Sequence, residues 1–436
     1  MRRKSVKRRE AAKSAAVCVE RRFAVRRKFR ISLPATGGQV PDLPPVSRPV
    51  RTIAVTLRMT DPRKTILPIS SYDMRKRARS RIPRFAFDYV DGAAGDERAA
   101  RRSREAFDRT CLKPRILVNS ESRVDLSCRF LGREWSVPFG IAPLGLPGLA
   151  WPGADLALAR AAEAFGAPYV CPTPATQTLE TLRAAAPTRS LFQLYVGASA
   201  DITEDLIARV ETAGFDTLVV TADVPRPGKR LRDLRNGFGL PLRLSAGTLL
   251  DLALHPAWAI ATLRHGAPRL ANLAPYARPG AGARTLAQVM AAQSSGRLDW
   301  NVFAQIRRRW KGALVLKGVL DAEDAAIAAA AGADAIQVSN HGGRQLDGAP
   351  APLDMLPAVR AAVPQGFPVA LDGGVRSGED ILKALEAGAD FVFVGRPFLY
   401  AVAAFGPDGP RALFDVLANE LEAAMAMTGR RGLART

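Results

Sequence analysis

Cysteine and histidine are scarce in this 436-residue chain, which has four of the first and three of the second. Cys18, Cys111, Cys128 and Cys171 form no CxxC pair and have no histidine at ligand spacing. Neither a metal site nor a disulfide scaffold is therefore expected, and a reducing, cytoplasmic setting fits better. Long apolar runs are missing as well, since none reaches the roughly 18 residues of a spanning helix. The nearest, 246–263 (AGTLLDLALHPAWAIATL), is interrupted by Asp251, His255 and Pro256, so it suits lying on a membrane rather than crossing one. Acidic residues are also few, with 41 Asp+Glu against 63 Lys+Arg for a net charge of +22. That imbalance is local. Residues 1–58 hold 16 Lys/Arg against Glu10, Glu20 and Asp42, or +13 of the +22, leaving +9 on the other 378 residues. A specific nucleic-acid partner is not expected of so mildly basic a body.

What is present is a globular chain, 47% hydrophobic and rich in glycine and alanine, preceded by a different kind of segment. Residues 1–58 are Arg-rich, then Pro-rich (PATGGQVPDLPPVSRP), without hydrophobic period, and are expected to be a disordered tail. Three readings of the tail stay open: a transit peptide, a basic arm for nucleic acid or anionic lipid, or a functionless extension upstream of a start at Met59. The domain itself is expected over 70–436, beginning with a helical segment over 70–135 that leads into it.

Beyond that segment, short apolar runs alternate with amphipathic helical patterns, as in repeated βα units with a parallel sheet. Strands are expected at 139–145, 167–173, 190–196, 217–223, 313–319, 335–340, 368–374 and 391–397. Eight strands, each followed by a helix, predict an α/β fold, a (β/α)8 TIM barrel. The helix EDILKALEA has Ser377 and Asp380 at capping-box spacing and stops before Gly388. Residues 224–299, after the fourth strand, are too long for a simple βα loop and read as a functional insertion.

In such a barrel the chemistry sits at the C-terminal strand ends. Those ends carry Pro143 and Gly145; Gln193 and Tyr195; Thr221 and Asp223; Lys317; Ser339, His341 and Arg344; Asp372, Gly374 and Arg376; and Gly395 and Arg396. Core packing alone would place few of these polar groups there, and together they suit an anionic cofactor and an anionic substrate. His255 and His265 lie in the insertion, whereas His341 opens a Gly-Gly-Arg turn at a strand end and is the candidate base. Asp372-Gly373-Gly374 with Arg376, and Gly395 with Arg396, place glycine backbone and guanidinium groups at the last two βα turns. Phosphate commonly binds there, although tight turning would use the same glycines.

The motifs SNHGGRQLDG (339–348), LDGGVRSGEDILKALEAGAD (371–390), FQLYV (192–196), LVLKGV (314–319) and FDYVDGAAGDE (87–97) resemble the FMN-dependent 2-hydroxy-acid dehydrogenase family. The likeness runs from about residue 70 to the C-terminus. WPGADLALARAA and the insertion text HPAWAIATLRHGAPRLANL are most similar to its mandelate dehydrogenase branch. The resemblance implies FMN as cofactor, a small 2-hydroxy acid as substrate, and His341 as the group that takes the proton, with Asp223 supporting the imidazolium. Arg344 and Arg230 would hold the substrate carboxylate, Tyr89 and Tyr195 would contact carboxylate or hydroxyl, and Lys317 would lie beside the flavin N1–C2=O edge. Gln193 and Thr221 would bind the flavin ring, alongside Pro143, Leu144, Gly145 and Ser339. Gly373, Gly374, Arg376, Gly395 and Arg396 would take the phosphate, and Asp372 the ribityl chain. The resemblance further implies a homo-oligomer, with a tetramer as the common form. Electrons would leave to quinone, O2 or another acceptor, and the insertion would rest on an anionic membrane at the inner face of the cell membrane.

Three positions depart from the family pattern. Leu144 stands where a hydroxyl residue usually follows the proline, Pro172 where a serine usually meets the flavin, and Leu231 where an acid usually follows Arg230. Two other readings remain beside this one. Another FMN barrel, such as a type 2 isopentenyl diphosphate isomerase or an IMP dehydrogenase-like protein, would have no need of an arginine clamp beside a base. An inactive flavin-binding protein attached through its basic tail would not need the full set of polar strand ends.

Overall fold

The computed structural model describes residues 70–119, 121, 124–237, 245–276 and 295–433. The expected tail at 1–58 lies outside them.

The chain leads in through three helices, α1 (Ser71–Arg81), α2 (Arg84–Asp91) and α3 (Arg98–Arg109). Ser70 caps α1 by accepting from the Asp73 N–H, and Pro83, which cannot donate to a helix, separates α1 from α2. The expected helical segment ends there. Residues 110–127 form no helix or strand where described, and Cys128–Phe130 (β1) and Arg133–Trp135 (β2) form an antiparallel hairpin.

Eight parallel strands then close on themselves into a barrel, the last hydrogen-bonded to the first. They alternate with helices: β3 (Phe139–Ile141), α4 (Ala154–Phe165), β4 (Tyr169–Pro172), α5 (Leu179–Ala185), β5 (Ser190–Leu194), α6 (Ala200–Thr212) and β6 (Thr217–Thr221). Here the insertion carries α7 (Leu231–Arg235), α8 (Ala246–Leu254) and α9 (Pro256–His265) before α10 (Trp300–Arg309). The remainder is β7 (Ala313–Val319), α11 (Ala322–Ala330), β8 (Ala335–Val338), α12 (Pro352–Ala362), β9 (Val369–Asp372), α13 (Gly378–Glu386), β10 (Phe391–Val394), α14 (Arg396–Phe405) and α15 (Gly409–Met427). All eight expected strands form, giving the TIM barrel. Most stop two to four residues short of the expected end, because the last residues of each run leave the ladder and turn into the mouth.

The lower barrel interior is apolar: Val170, Leu191, Val219, Val315, Ala335, Ala370 and Phe391 are buried together with Phe130 and Trp135 of the hairpin. Phe130 stacks on Phe391 at 4.9 Å between centroids, so the hairpin plugs the N-terminal end. A barrel closed at one end by its hairpin can take a ligand only from the other.

One local expectation changes. Ser377 does cap α13 by accepting from Asp380 N–H, but the Asp380 carboxylate reaches back to Arg376 N–H and to Arg104 rather than completing a capping box. The apolar run 246–263 is two helices broken at His255, with Pro256 in the first turn of the second. Trp258 is buried edge-on against Phe85 and donates to the Leu149 carbonyl, which fastens the insertion to the barrel. Leu249, Leu250, Leu254, Ile260 and Leu263 are exposed.

Candidate active site

A cavity of about 350 Å³ opens at the C-terminal end of the barrel, and all eight strand ends and α2 contribute to its lining. Every candidate residue lines it except Asp223, Thr221 and Ser339, which stand directly behind those that do.

The His341 imidazole is held at two points. Its Nδ1 lies 2.9 Å from Asp223 Oδ1, and its Nε2 lies 3.4 Å from Tyr195 Oη. Burial would push the Asp223 carboxyl up, but His341 and Lys317 outweigh it and hold it below the usual carboxylate range. Burial pushes the Tyr195 phenol up, with Asp223 adding to the effect, so it remains a neutral donor. His341 has a left-handed backbone (φ 56°), followed by Gly342 (63°) and Gly343 (75°). Such a run is costly for L side chains and accounts for the two glycines after the histidine. Asn340 fixes the turn: its Oδ1 accepts from Gly343 N–H, and its Nδ2 donates to Ser103 Oγ and the Pro350 carbonyl. Gly318 makes room for Asp223, since a Cβ there would come within 2.6 Å of the Asp223 Cβ. Neither Asn340 nor Gly318 was singled out from the sequence, although both sit inside the quoted SNHGGR and LVLKGV motifs.

Two guanidinium groups face the same space. Arg344 Nη1 donates to the carbonyls of Tyr89 and Gly92, each at 2.8 Å. Burial, and then the charges of Arg230 and Arg396, push the Arg344 pKa down to about 10. Arg230 pairs with Asp233 at 3.0 Å, so the nearest acid is supplied there rather than at Leu231. Both guanidinium carbons lie over the Tyr89 ring, at 5.3 Å (Arg230) and 5.1 Å (Arg344) from its centroid. The Tyr89 hydroxyl, expected to meet substrate, donates to the Gly145 carbonyl at 3.2 Å.

Under the cavity lies a layer of polar side chains. Gln193 Nε2 donates to Thr221 Oγ1 at 3.0 Å. Lys317 Nζ donates to Ser339 Oγ at 2.7 Å and pairs with Asp372 Oδ2 at 3.0 Å, while Ser339 Oγ donates to Asp372 Oδ1 at 2.6 Å. Asp372, expected at a ribityl chain, is here the counter-ion of Lys317. Burial would lower the lysine pKa, but Asp372 and Asp223 raise it above the usual value, so the ammonium is charged.

Arg376 and Arg396 lie beside the glycine turns of β9 and β10. Gly373 and Gly374 adopt φ of 97° and 95°, and a Cβ on Gly374 would come within 2.7 Å of the Ser103 carbonyl. Burial lowers the Arg376 pKa. Arg396 Nη atoms donate to Gly342 and Gly92 carbonyls, while its Nε is buried with no hydrogen-bond partner among the described residues. A partly buried cation without a counter-ion is costly, and Arg396 opens α14, where the helix dipole also favours an anion. The donor set fits a phosphate, and with Lys317 and Gln193 beneath the cavity it fits a phosphorylated ring cofactor.

Residues 78–436 match the FMN-dependent dehydrogenase family. The chain belongs to that family. An L-lactate dehydrogenase of Caulobacter vibrioides is 42% identical over 366 residues, spanning 84% of this chain and 95% of that protein. The (S)-mandelate dehydrogenase of Pseudomonas putida is 38% identical over 357 residues, 82% of this chain and 89% of its own. Among solved structures, the monotopic membrane protein (S)-mandelate dehydrogenase superposes with a TM-score of 0.80 at 38% identity, covering 84% of this chain and 96% of that one. A mandelate oxidase superposes at 0.71 and 36% identity over the same shares. As an FMN-dependent dehydrogenase, this protein has a use for the two anion-seeking groups of its cavity. The Arg376–Arg396 turns would hold the FMN phosphate, and the Lys317–Gln193 layer would lie under its ring.

Proposed function

We propose that this enzyme oxidises a small L-2-hydroxy acid to the 2-oxo acid. The observation that carries the reading is the His341–Asp223 pair set in one cavity with the Arg344 and Arg230 guanidinium groups. Arginines positioned beside a base suit a substrate that carries a carboxylate next to the carbon being oxidised. FMN bound here supplies the two-electron acceptor. Arg344 and Arg230 hold the carboxylate, and Tyr195 orients the hydroxyl. His341 Nε2 takes the proton, and Asp223 on Nδ1 stabilises the imidazolium that results. Lys317 places its charge beside the flavin ring. An isomerase would have no use for the clamp. Anaerobic addition of L-lactate or (S)-mandelate to the yellow protein should bleach its flavin absorbance within the mixing time of a manual assay. A flavin-loaded protein that neither acid bleaches would overturn the reading.

The insertion supports a second element, attachment to an anionic membrane surface with quinone as the electron acceptor. Among the described residues no helix is long and apolar enough to cross a membrane. Yet Leu249, Leu250, Leu254, Ile260 and Leu263 are exposed on two consecutive helices, and Arg264, His265 and Arg269 follow them at the surface. Apolar side chains beside cations suit a segment that dips into lipid while its bases meet headgroups. Changing the five apolar residues to serine should abolish sedimentation with phosphatidylglycerol vesicles and efficient quinone reduction, while leaving flavin reduction by substrate intact. If the unaltered protein ignores such vesicles at low salt and turns over rapidly with O2, a soluble oxidase replaces this reading.

A further inference from the structure

The upper layer of the barrel interior contains a buried polar residue that the reaction has not yet used. Gln337 lies on β8 in register with Lys317 of β7 and Ala370 of β9, fully buried and behind the cavity lining rather than on it. Its Oε1 has no hydrogen-bond partner among the described residues. A buried carboxamide half unsatisfied is unfavourable relative to an aliphatic side chain in the same place, and the layer below it is wholly aliphatic and aromatic. What Gln337 contributes must therefore lie in the bond it does make. Its Nε2 donates to Asp372 Oδ2 at 2.5 Å, and this is the same oxygen that pairs with Lys317 Nζ at 3.0 Å.

We propose that Gln337 is a positioning residue for flavin reduction, dividing Asp372 between two donors so that the Lys317 charge stays directed at the flavin ring. The carboxylate is engaged from three sides, by Gln337 and Lys317 on Oδ2 and by Ser339 on Oδ1. Each neutral donor that draws on its charge weakens the field with which it compensates the ammonium. Of the three hydrogens on Lys317 Nζ, Ser339 and Asp372 take two, which leaves the third for the cavity that the lysine lines. Without Gln337, Asp372 would hold the lysine more completely, and less positive charge would reach the ring as it gains electrons. The inference rests on the placement of Lys317 beside the flavin.

The test is the two-electron midpoint potential of FMN in the purified holoenzyme, measured by dye equilibration alongside the flavin-to-protein ratio. Gln337→Leu is expected to keep FMN and to lower the equilibrium constant for reduction by about tenfold, equivalent to about 30 mV for a two-electron couple. Gln337→Glu, close in shape, sets a second carboxylate against Lys317 and is expected to lower it further. A Gln337→Leu protein that holds FMN at the unaltered potential overturns the proposal. If that variant loses the flavin, Gln337→Glu decides, and an unchanged or higher potential overturns it. Loss of flavin from both variants would assign Gln337 a structural role and overturn it as well. Failure of the unaltered holoenzyme to be bleached by hydroxy acids would instead count against the proposed reaction, which is a separate outcome.

Discussion

Replacing His341 with asparagine is expected to leave FMN bound and to slow its reduction by substrate at least 10²–10⁴-fold, the usual contribution of a positioned acid–base group. Flavin retention follows from the layout. The proposed phosphate donors are on the β9 and β10 turns and the proposed ring donors on β5 and β7, while among the described residues the histidine ring hydrogen-bonds to Asp223 and Tyr195. Asparagine also tolerates the left-handed backbone at this position (φ 56°) better than most residues, so the turn into Gly342 and Gly343 should survive. Asp223 would lose its partner while remaining buried, and its carboxyl should then titrate at higher pH than in the unaltered protein, because His341 is the leading influence that holds it down. Stopped-flow reduction under anaerobic conditions reads the rate directly. Near-normal reduction in the variant would falsify the assignment of the base.

The second large effect is expected at Arg344. A charge-assisted hydrogen bond contributes roughly 1.5–3 kcal/mol, so losing a two-point contact should lower kcat/KM by at least about 10²-fold. Arg344→Met removes the charge and also the Arg344 hydrogen bonds to the Tyr89 and Gly92 carbonyls, of which Gly92 keeps Arg396. Arg344→Lys restores the charge but not the planar fork, and it should recover only a small part of the loss. Both variants should stay yellow. The unaltered enzyme should discriminate strongly against neutral alcohols of the same size. Neutral alcohols that prove better substrates than hydroxy acids would show that the arginines do not hold a carboxylate.

How much of this was legible in the chain varies from element to element. The eight strands were readable because each is a short apolar run, buried on both faces and bounded by helical pattern. Their ends were read too long because Asn340 or Gly374 continues the run in sequence but leaves the ladder in space. The candidate site residues were legible partly because barrel chemistry is confined to strand ends and partly through the resemblance that SNHGGR and DGGVRSG carry. Asn340 and Gly318 were not, since each depends on a contact made far along the chain: Asn340 with Ser103, and Gly318 by yielding space to Asp223. The insertion's apolar content and its break at His255 and Pro256 were legible, but only packing shows Trp258 turned inward onto Phe85 while its leucine neighbours face outward.

The sequence by itself determined the barrel, through the periodicity of its strands, and the family with its flavin, through the resemblance that its motifs carry. Tertiary structure alone decided which of the polar groups pair with one another. Asp372 is the counter-ion of Lys317, the Tyr89 hydroxyl is bound to the Gly145 carbonyl, and Gln337 shares the oxygen that Lys317 uses. The physical reason is range. A strand's apolar pattern is set by its own few residues, but a buried charge is compensated by whichever partner the closed barrel brings within about 3 Å, and that partner comes from another strand.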